Sequence, residues 1–299
     1  MNYFYHLLIY LDIYVVVALG LNIAVGYCGL LTLAHASYFA LGSYSYALAT
    51  LKLGWGFIPS TLLGMIIALI FSLAVSLPAW RFRGDFFLMI SLAVQTLLFS
   101  IFQNWTDYGA EPGTWRNLTN GLYGLTGISE PAILGINFDT ISSQAALHTT
   151  LAVTCGLIVW LLLNSPWGRL LKAIRDDELA ARGLGKNVHI AKMQAFAVAC
   201  TMAAIAGSMY ASYINFVDPN TASLDESILM LAMVLVGGAG NFRGPVVGAL
   251  VLLAIPEILH VIHISDIVAA NVRMMAYGLL LVVMMHLRPQ GLAGNYLIE

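Results

Sequence analysis

Apolar residues fall in nine long runs along the chain, separated by short joints that are polar or rich in glycine. A helix needs about 20 apolar residues to cross the hydrocarbon core of a membrane, and most of the runs reach that length. The runs do not alternate as transmembrane strands do, and backbone groups in lipid must be paired within their own segment, so we predict helices. The runs cover 7–25, 33–51, 57–79, 86–104, 145–164, 190–213, 227–239, 244–262 and 273–287.

The composition agrees with this pattern. Of the 299 residues, 60% are apolar and only 9% are charged, and the mean hydropathy is +0.84. Soluble domains are about 45–50% apolar and about 25% charged, so this chain lacks the polar surface of a soluble enzyme, a disordered chain or a basic nucleic-acid binder. We therefore predict an all-α fold in a single domain over 1–299: a polytopic transmembrane helix bundle of about 8–10 spans, some of them broken or re-entrant.

Cysteines and the amino terminus add two smaller predictions. Cys28, Cys155 and Cys200 lie far apart in or beside apolar runs, and no CxxC occurs, so we predict buried, inert thiols rather than a zinc site or a disulfide framework. No Lys or Arg precedes Lys52, whereas a cleavable signal peptide needs a basic segment before its apolar core. The first apolar run is therefore predicted to be an uncleaved span.

Basic residues are concentrated in one connection between runs. Six of the 13 Lys and Arg residues lie between 169 and 192, whereas the connection at 105–144 carries a single basic residue, Arg116, against four acidic ones. Because basic loops stay in the cytoplasm, the bias predicts nine spans with the amino terminus outside and the carboxyl terminus inside. The segment 165–190 is then a cytoplasmic loop, and the connection at 105–144 is extracytoplasmic.

Two joints between the runs are rich in glycine, one at 26–29 and the other at 237–244. Glycine frees the backbone, so both joints favour broken or re-entrant helices, and paired breaks in the two halves of a chain indicate a transport pathway. Tight turns at the membrane surface, or close packing of helices, are the alternatives. Together with polar residues inside the runs, the joints give the candidates for a translocation pathway: Asn22, His35, Gln95, Gly237, Gly238 and Gly240.

Few polar side chains that carry chemistry lie inside the runs, the main ones being Asn22, His35, Gln95 and Glu257. Polar groups in a membrane are expensive, so each is either functional or engaged in a hydrogen bond between helices. Glu257, His260 and His263 follow one another at three-residue intervals and share one broad helical face, which allows a metal site in principle. They lie near the predicted external end of a span, where solvated polar residues cost little, so we predict no metal site.

The basic segment reads as a short amphipathic helix between two spans. Pro166 closes the preceding span, and residues 169–182 contain no proline or glycine and are good helix formers. Such a helix lies in lipid headgroups or docks in a groove on a cytoplasmic partner, and amphipathicity alone favours the lipid. At 100° per residue the basic residues fall on one side, and the other side carries Leu170, Ile174, Ala181 and Leu184.

The residues of this segment favour the partner instead. They resemble the ATPase-coupling loop of ABC-importer permeases, specifically the branched-chain amino-acid (LivM-like) family, whose members read close to SPxGRxLxAIRxxExAAxxLGxNV. The broader importer motif is Glu-Ala-Ala, three residues, then Gly; here Glu178 stands one place early, with Leu179 in its usual position. Positions that match include Ser165, Pro166, Gly168, Arg169, Leu171, Ala173, Ile174, Arg175, Glu178, Ala180, Ala181, Leu184, Gly185, Asn187 and Val188.

The resemblance extends over nearly the whole chain. Residues 31–38 are similar to the family's LSLGHAAF element, with Ala34 in place of its glycine. Further similar elements occur in the family's order at 20–29, 81–87 (which includes Arg81 and Arg83), 120–128 and 237–248.

The resemblance implies that the chain is a permease subunit of an ABC importer in a bacterial inner membrane, and not an enzyme. It implies as partners a second homologous permease subunit, two cytoplasmic ATPases that bind the ATP and Mg, and an extracytoplasmic substrate-binding protein, with lipid around the spans. Substrates would be leucine, isoleucine and valine, although permeases for urea and short-chain amides look similar. The chain has no GxxxxGK[ST] loop of its own, so energy would come from those ATPases, and we expect no cofactor in this chain.

On this reading the ATPase-coupling residues are Arg169, Leu171, Ile174, Arg175, Glu178, Ala181 and Gly185. Arg169, Arg175 and Glu178 would form polar contacts with the ATPase, and Leu171 and Ile174 apolar ones. A rival function of another class is an ion-coupled secondary transporter, which needs carboxylates inside the membrane. Glu257 is the only candidate for this that we identify in the sequence.

Overall fold

The apolar runs fold into helices that pack side by side, as the hydrophobic pattern predicts. The computed structural model describes residues 2–79, 85–107, 109–133, 135–261, 266–288 and 290–294. Within these residues the helices are α1 Asn2–Asn22, α2 His35–Leu53, α3 Phe57–Ala79, α4 Asp85–Asn104, α5 Ile141–Asn164, α6 Pro166–Asp176, α7 Glu178–Gly183, α8 Val188–Ile214, α9 Leu224–Gly237, α10 Gly244–Val261 and α11 Asp266–Leu287.

Each of the nine predicted runs overlaps one of these helices over most of its length, which confirms an all-α membrane bundle. Among the described residues, five helical segments are long and apolar enough to cross a membrane: 2–27, 57–77, 86–104, 141–164 and 188–214. Shorter apolar stretches lie in α10 and α11. The predicted residues Arg81, Arg83 and His263, and the side chain of His260, lie outside the part of the chain that the structure describes.

Small residues bring α2 and α8 into close contact at the centre of the bundle. Gly42 lies against the backbone of Ala204, and Gly207 lies against the carbonyl of Phe39. The hydroxyl of Ser43 donates to the Gly207 carbonyl at 2.9 Å. Without a hydrophobic driving force between helices in lipid, such close backbone approach and interhelical hydrogen bonding hold a bundle together.

The first glycine-rich joint is a re-entrant break. A π-helical turn, Ile23–Tyr27, extends α1, and the chain then runs without regular structure to His35. His35 begins α2 beside the backbone of Val17, which lies about ten residues, or about 15 Å, back along α1 from Tyr27. The intervening residues therefore return into the bundle before α2 starts.

A second re-entrant segment precedes α9. After α8 a short strand and a 3₁₀ turn, Pro219–Ala222, lead to α9, whose first turn lies beside the start of α2. The backbone N–H of Ala36 donates to the hydroxyl of Ser227 at 3.0 Å. The helices α2 and α9 thus begin at the same level inside the bundle, and the 14-residue α9 is short because it starts there.

The connections on either side of α5 lie at opposite ends of the bundle, since this helix of 24 residues is about 36 Å long. The predicted loop at 105–144 ends at Thr140, whose side chain accepts from the N–H of Ser143 at 3.3 Å and so caps α5. This loop contains the 3₁₀ turn Gly121–Tyr123 and three short strands, β1 Leu125–Thr126, β2 Ala132–Ile133 and β3 Ile136–Asn137. Antiparallel pairing joins β2 to β3, and β1 to β4 Phe216–Val217.

The three cysteines are free and buried, as predicted. Burial raises the pKa of the Cys28 thiol, which follows the π-helical turn, to about 12. A thiol with so high a pKa stays protonated at neutral pH and is a poor nucleophile.

Candidate functional site

The basic segment forms two helices, which corrects the prediction of one continuous helix over 169–182. Ser165 caps α6 by accepting from the N–H of Trp167 at 3.2 Å, and Pro166 occupies the first turn. At Asp177 the backbone is extended, and its carboxylate accepts from the N–H groups of Leu179 and Ala180, both at 2.9 Å. An aspartate that caps a new helix competes with continuation of the old one, a possibility that helix propensity alone does not reveal. The segment ends at Asn187, which caps α8, rather than at 190.

The burial of the segment also corrects its predicted contacts. Leu171 and Ile174 are 0% and 2% exposed, and Ala181 is buried as well. These side chains fasten the segment to the membrane helices, so Leu171 and Ile174 are not the apolar contacts for a partner. The apolar side chains on the surface are Leu179 and Leu184, which are 71% and 80% exposed. Leu184 leaves the predicted apolar face because the break at Asp177 resets the helical register.

Arg175 points from α6 into the protein. Its side chain is 13% exposed, its Nη1 donates to the Gly26 carbonyl, and its Nε lies 3.3 Å from the Asp176 carboxylate. Gly240 packs directly on the guanidinium, at a position where any Cβ would overlap Nη1. The φ of Gly240 is +80°, which glycine adopts without strain. Arg175 therefore touches both glycine-rich joints at once.

Asn22 connects the same two joints from α1. Its Nδ2 donates to the Asn241 carbonyl at 3.0 Å, and its Oδ1 accepts from the Gly240 N–H at 2.9 Å. We call the group formed by Asn22, Gly26, Arg175, Gly240 and Asn241 the inner junction. It brings together residues from α1 and its π-helical extension, from the basic segment at 165–187 and from the turn between α9 and α10. These three parts lie far apart in the sequence.

The chain near residue 290 covers the inner junction. The N–H of Leu292 donates to the Val236 carbonyl at 2.9 Å, and that of Ala293 donates to the Gly237 carbonyl at 2.8 Å. Asn241 Nδ2 donates to the Ala293 carbonyl at 2.5 Å. These bonds use carbonyls at the end of α9 that would otherwise lack partners.

The remaining glycine candidates serve close packing. Gly237 lies against the backbone of Gly244 and Gly248, and Gly238 lies against Gly291 and Gly294. A side chain at either position would collide with backbone. This is the close-packing alternative that the sequence left open, and it accounts for both glycines without a pathway.

Glu178 ties α7 to α8 within the chain. It forms an ion pair with Arg182 one turn later, and its Oε2 lies 2.7 Å from Lys192 Nζ. Partial burial acts to raise the pKa of Glu178, but the hydrogen bond from Lys192 and the charges of Lys192, Arg182 and His189 outweigh it and lower the pKa. Arg169 and Gly185 lie on the exposed side of the segment.

Gln95 and His35 lie deeper, where α2 and α9 begin. Gln95 Oε1 accepts from the Ser37 hydroxyl at 2.6 Å, and its Nε2 donates to the Ala222 carbonyl at 2.5 Å. His35 is fully buried, and its ring lies beside the backbone of Val17 on α1. Gln95 is thus a bridge between the two re-entrant segments, as expected of an interhelical hydrogen bond.

Three further acidic residues lie at mid-depth in the bundle, so the prediction that Glu257 is the only candidate intramembrane carboxylate is wrong. Asp12 lies near the middle of the first span and accepts from the Thr149 hydroxyl at 2.6 Å. Asp225 and Glu226 lie in the first turn of α9, where the Tyr14 hydroxyl donates to Glu226 at 3.3 Å. Asp12 could have been identified from the sequence, because it is a charged residue five positions inside the apolar run 7–25. The other two lie just before the predicted run, which begins at 227.

Among the described residues, no group of three or more His, Cys, Asp or Glu side chains is arranged to hold a metal ion. The six predicted pathway residues are likewise not among the described residues that line the cavity of about 770 Å³ between α1, α9, α10 and α11. Three of them, Asn22, Gly240 and Gln95, instead join broken segments to their neighbours.

Comparisons with known proteins agree with this architecture. A family model described as "Branched-chain amino acid transport system / permease component" matches residues 3–285. The high-affinity branched-chain amino acid transport system permease protein LivM of Escherichia coli (strain K12) is 28% identical over 94% of this chain and 67% of its own length. The probable branched-chain amino acid transport permease protein LivM of Methanocaldococcus jannaschii is 24% identical over 96% of this chain and 92% of its own.

A more partial relative is the autoinducer 2 import system permease protein LsrC of Salmonella paratyphi B, which is 32% identical over 47% of this chain and 40% of its own. No solved structure matches. The family model covers all but the two ends of the chain, and the bundle of apolar helices fits a multi-pass transport subunit. The chain therefore belongs to the family of permease components of branched-chain amino acid transport systems.

Proposed function

We propose that this chain is the permease subunit of an ABC importer that moves leucine, isoleucine or valine into the cell by alternating access. Its working complex contains a second homologous permease subunit, two cytoplasmic ATPases that bind ATP and Mg, and an extracytoplasmic binding protein. The observation that carries the proposal is the inner junction. There Arg175, from the basic segment at 165–187, contacts both glycine-rich joints of the bundle. We call this segment the coupling segment.

The two faces of the coupling segment have separate tasks. Leu171, Ile174 and Ala181 are buried and anchor it to the spans. Leu179 and Leu184 are exposed and supply the apolar contacts for an ATPase groove. A movement of the ATPases on nucleotide binding then shifts α6, and Arg175 carries this shift to Gly26 and Gly240. Coupling requires that the two states of the bundle differ in affinity for the nucleotide-bound ATPases.

The substrate class rests on the family and on the chemistry of the spans. Apolar walls with few charges suit a small zwitterion with an aliphatic side chain. Urea and short-chain amides remain the alternative within the family, and competition with leucine uptake separates them. An ion-coupled transporter would take up leucine without ATP and would stop when the ion gradient is collapsed.

The experiment replaces Leu179 and Leu184 with Asp in the complete transporter, reconstituted in proteoliposomes with its ATPases and binding protein. We expect copurification of the ATPases and ATP-driven leucine uptake each to fall by tenfold or more, since about 1.4 kcal/mol of lost contact is a factor of ten. Leu122→Asp is the control, because Leu122 is 70% exposed but lies in the connection at the other end of α5. Full ATPase copurification with the double variant would show that the coupling segment does not dock.

A further inference from the structure

A cavity of about 770 Å³ lies between α1, α9, α10 and α11. This volume falls in the range of about 300–1,000 Å³ that is typical of sites for small molecules. Most of its wall is aliphatic, from residues such as Leu11, Leu229 and Leu253. Such a wall accepts an aliphatic group without loss of hydrogen bonds.

The polar groups of this cavity are mainly carboxylates and phenols, with one imidazole, that of His6. Asp225, Glu226 and Glu257 contribute three carboxylates, and Tyr10 and Tyr14 contribute phenol rings. No Lys or Arg is among the described residues that line it. Carboxylates accept hydrogen bonds from an ammonium group, and the faces of tyrosine rings attract cations. The cavity is therefore complementary to a small cation with an apolar body.

The carboxylates of Asp225 and Glu226 are unusual because they lie near the middle of the membrane-spanning bundle. The first span covers 26 residues, and Tyr14, which donates to Glu226, lies at its middle. Carboxylates in the middle of a membrane are rare and face a cavity or a partner rather than lipid. Glu226 is half-buried on the cavity side of α9, and its neighbour Asp225 is exposed. Close packing of helices would not require either charge at this depth.

We propose that this cavity recognises the ammonium group of the transported molecule, with the Glu226 carboxylate as the acceptor and the aliphatic wall as the site of the side chain. The ligand class is a primary ammonium compound with a short branched aliphatic chain. The inference rests on the proposed function, which it deepens by naming the part of the substrate that the permease itself selects. Tyr14 holds Glu226 in place through the hydroxyl at 3.3 Å.

The test uses the purified transporter with its ATPases in lipid nanodiscs, without the binding protein, and measures binding of radiolabelled leucine. Two competitors separate the ends of the substrate: 3-methylbutylamine keeps the ammonium group and the aliphatic chain, and 4-methylpentanoate keeps the carboxylate and the aliphatic chain. We expect 3-methylbutylamine to displace leucine and 4-methylpentanoate not to do so.

Variants locate the effect. Glu226→Gln should weaken leucine binding roughly 10- to 100-fold, the range expected for loss of a charged hydrogen-bond partner. Glu226→Asp keeps the charge and should retain part of the affinity, which separates loss of the site from misfolding. Asp12→Asn is the matched control, because Asp12 lies at a similar depth on α1 but is bonded to Thr149 on α5 and does not line the cavity. The affinity of Asp12→Asn for leucine should stay within about twofold of the wild-type affinity, which is the ordinary error of such comparisons.

Displacement of leucine by 4-methylpentanoate as well as by the amine, unchanged affinity in Glu226→Gln, or absence of any binding would overturn the site. ATP-driven leucine uptake, measured in parallel with the binding protein present, tests the proposed function separately. Uptake in the wild type together with failure of the binding test removes only the cavity proposal. Glu226-dependent binding of 3-methylbutylamine without leucine uptake supports the site and removes the proposed transport substrate.

Discussion

Arg175 links two backbone segments that lie far apart in the sequence, because its guanidinium contacts both of them. Its Nη1 donates to Gly26, and Gly240 packs on the same group. A planar guanidinium presents several N–H donors in a fixed arrangement, whereas a lysine ammonium is a compact point charge on a flexible stem. Charge alone therefore does not explain the contact.

Arg175→Lys should leave assembly with the ATPases intact and uncouple transport from ATP hydrolysis. We expect the number of leucine molecules transported per ATP to fall roughly tenfold, which corresponds to about 1.4 kcal/mol of lost linkage. The measurement is uptake and ATP hydrolysis on the same proteoliposomes. Arg116→Lys, at an exposed site in the connection at 105–144, serves as the control and should keep the wild-type ratio. A wild-type ratio in Arg175→Lys would contradict a transmitting role.

Glu178 gives the coupling segment a stability that depends on pH. Its pKa is lowered in the folded protein, so its ion pairs stabilise the fold above the unfolded-state pKa of about 4.3, and this contribution is lost as the pH falls through the lower folded value. The difference in unfolding midpoint between wild type and Glu178→Gln should be constant from pH 8 to about pH 5 and shrink at lower pH. Glu111→Gln, at an exposed carboxylate in the connection at 105–144, is the matched control for the loss of one surface carboxylate. A constant difference for Glu178→Gln down to pH 3 would exclude this contribution.

At the scale of elements, the crossing of α2 and α8 depends on glycine. Gly207 lies so close to the Phe39 carbonyl that a Cβ cannot fit without backbone movement. Gly278, on α11, has no atom of another described element within 4 Å of where its Cβ would be. The two positions therefore form a matched pair of membrane glycines.

Gly207→Ala should lower the free energy of unfolding by about 1–3 kcal/mol, the usual cost of overpacking, while Gly278→Ala should be neutral within about 0.5 kcal/mol. Thermal unfolding of the purified complex in detergent measures both. Equal midpoints for the two variants would show that the crossing relaxes at little cost.

The sequence predicts the helices well and their breaks poorly. Hydrophobic runs are a local signal, so the existence of each long apolar helix followed from them, and the family motif located the coupling segment. The break at Asp177 depends on a single capping side chain, which propensity does not weigh. The early start of α9 depends on the Ser223 side chain, which caps the helix by accepting from the Glu226 N–H, and the contact of Arg175 with Gly26 joins residues 149 positions apart. Periodicity carries no information over that separation.

At the scale of the whole molecule, the polar ends and the interior are distinct. The inner junction and the coupling segment lie at one end of α5, and the connection with the short strands lies at the other. The charge bias assigns the first of these ends to the cytoplasm. The structure separates the ends, and labelling decides which of them faces outward.

Single cysteines test this orientation. Leu122→Cys and Leu184→Cys place thiols at sites that are 70% and 80% exposed at opposite ends, while the native cysteines are buried and should give little background. We expect an impermeant maleimide to label Leu122→Cys in intact cells and Leu184→Cys only in inverted vesicles. The reverse pattern would invert the predicted topology.

The segment near residue 290 that covers the inner junction affects the order in which the protein folds during synthesis. Asn22 emerges from the ribosome early, yet its partner Asn241 is itself held by Ala293, about 270 residues later. Until residues 292 and 293 are synthesised, the carbonyls of Val236 and Gly237 lack the N–H donors that they have in the folded protein. The inner junction is thus completed late in synthesis, and a nascent chain that stops short of this segment lacks the donors and the carbonyl that complete it.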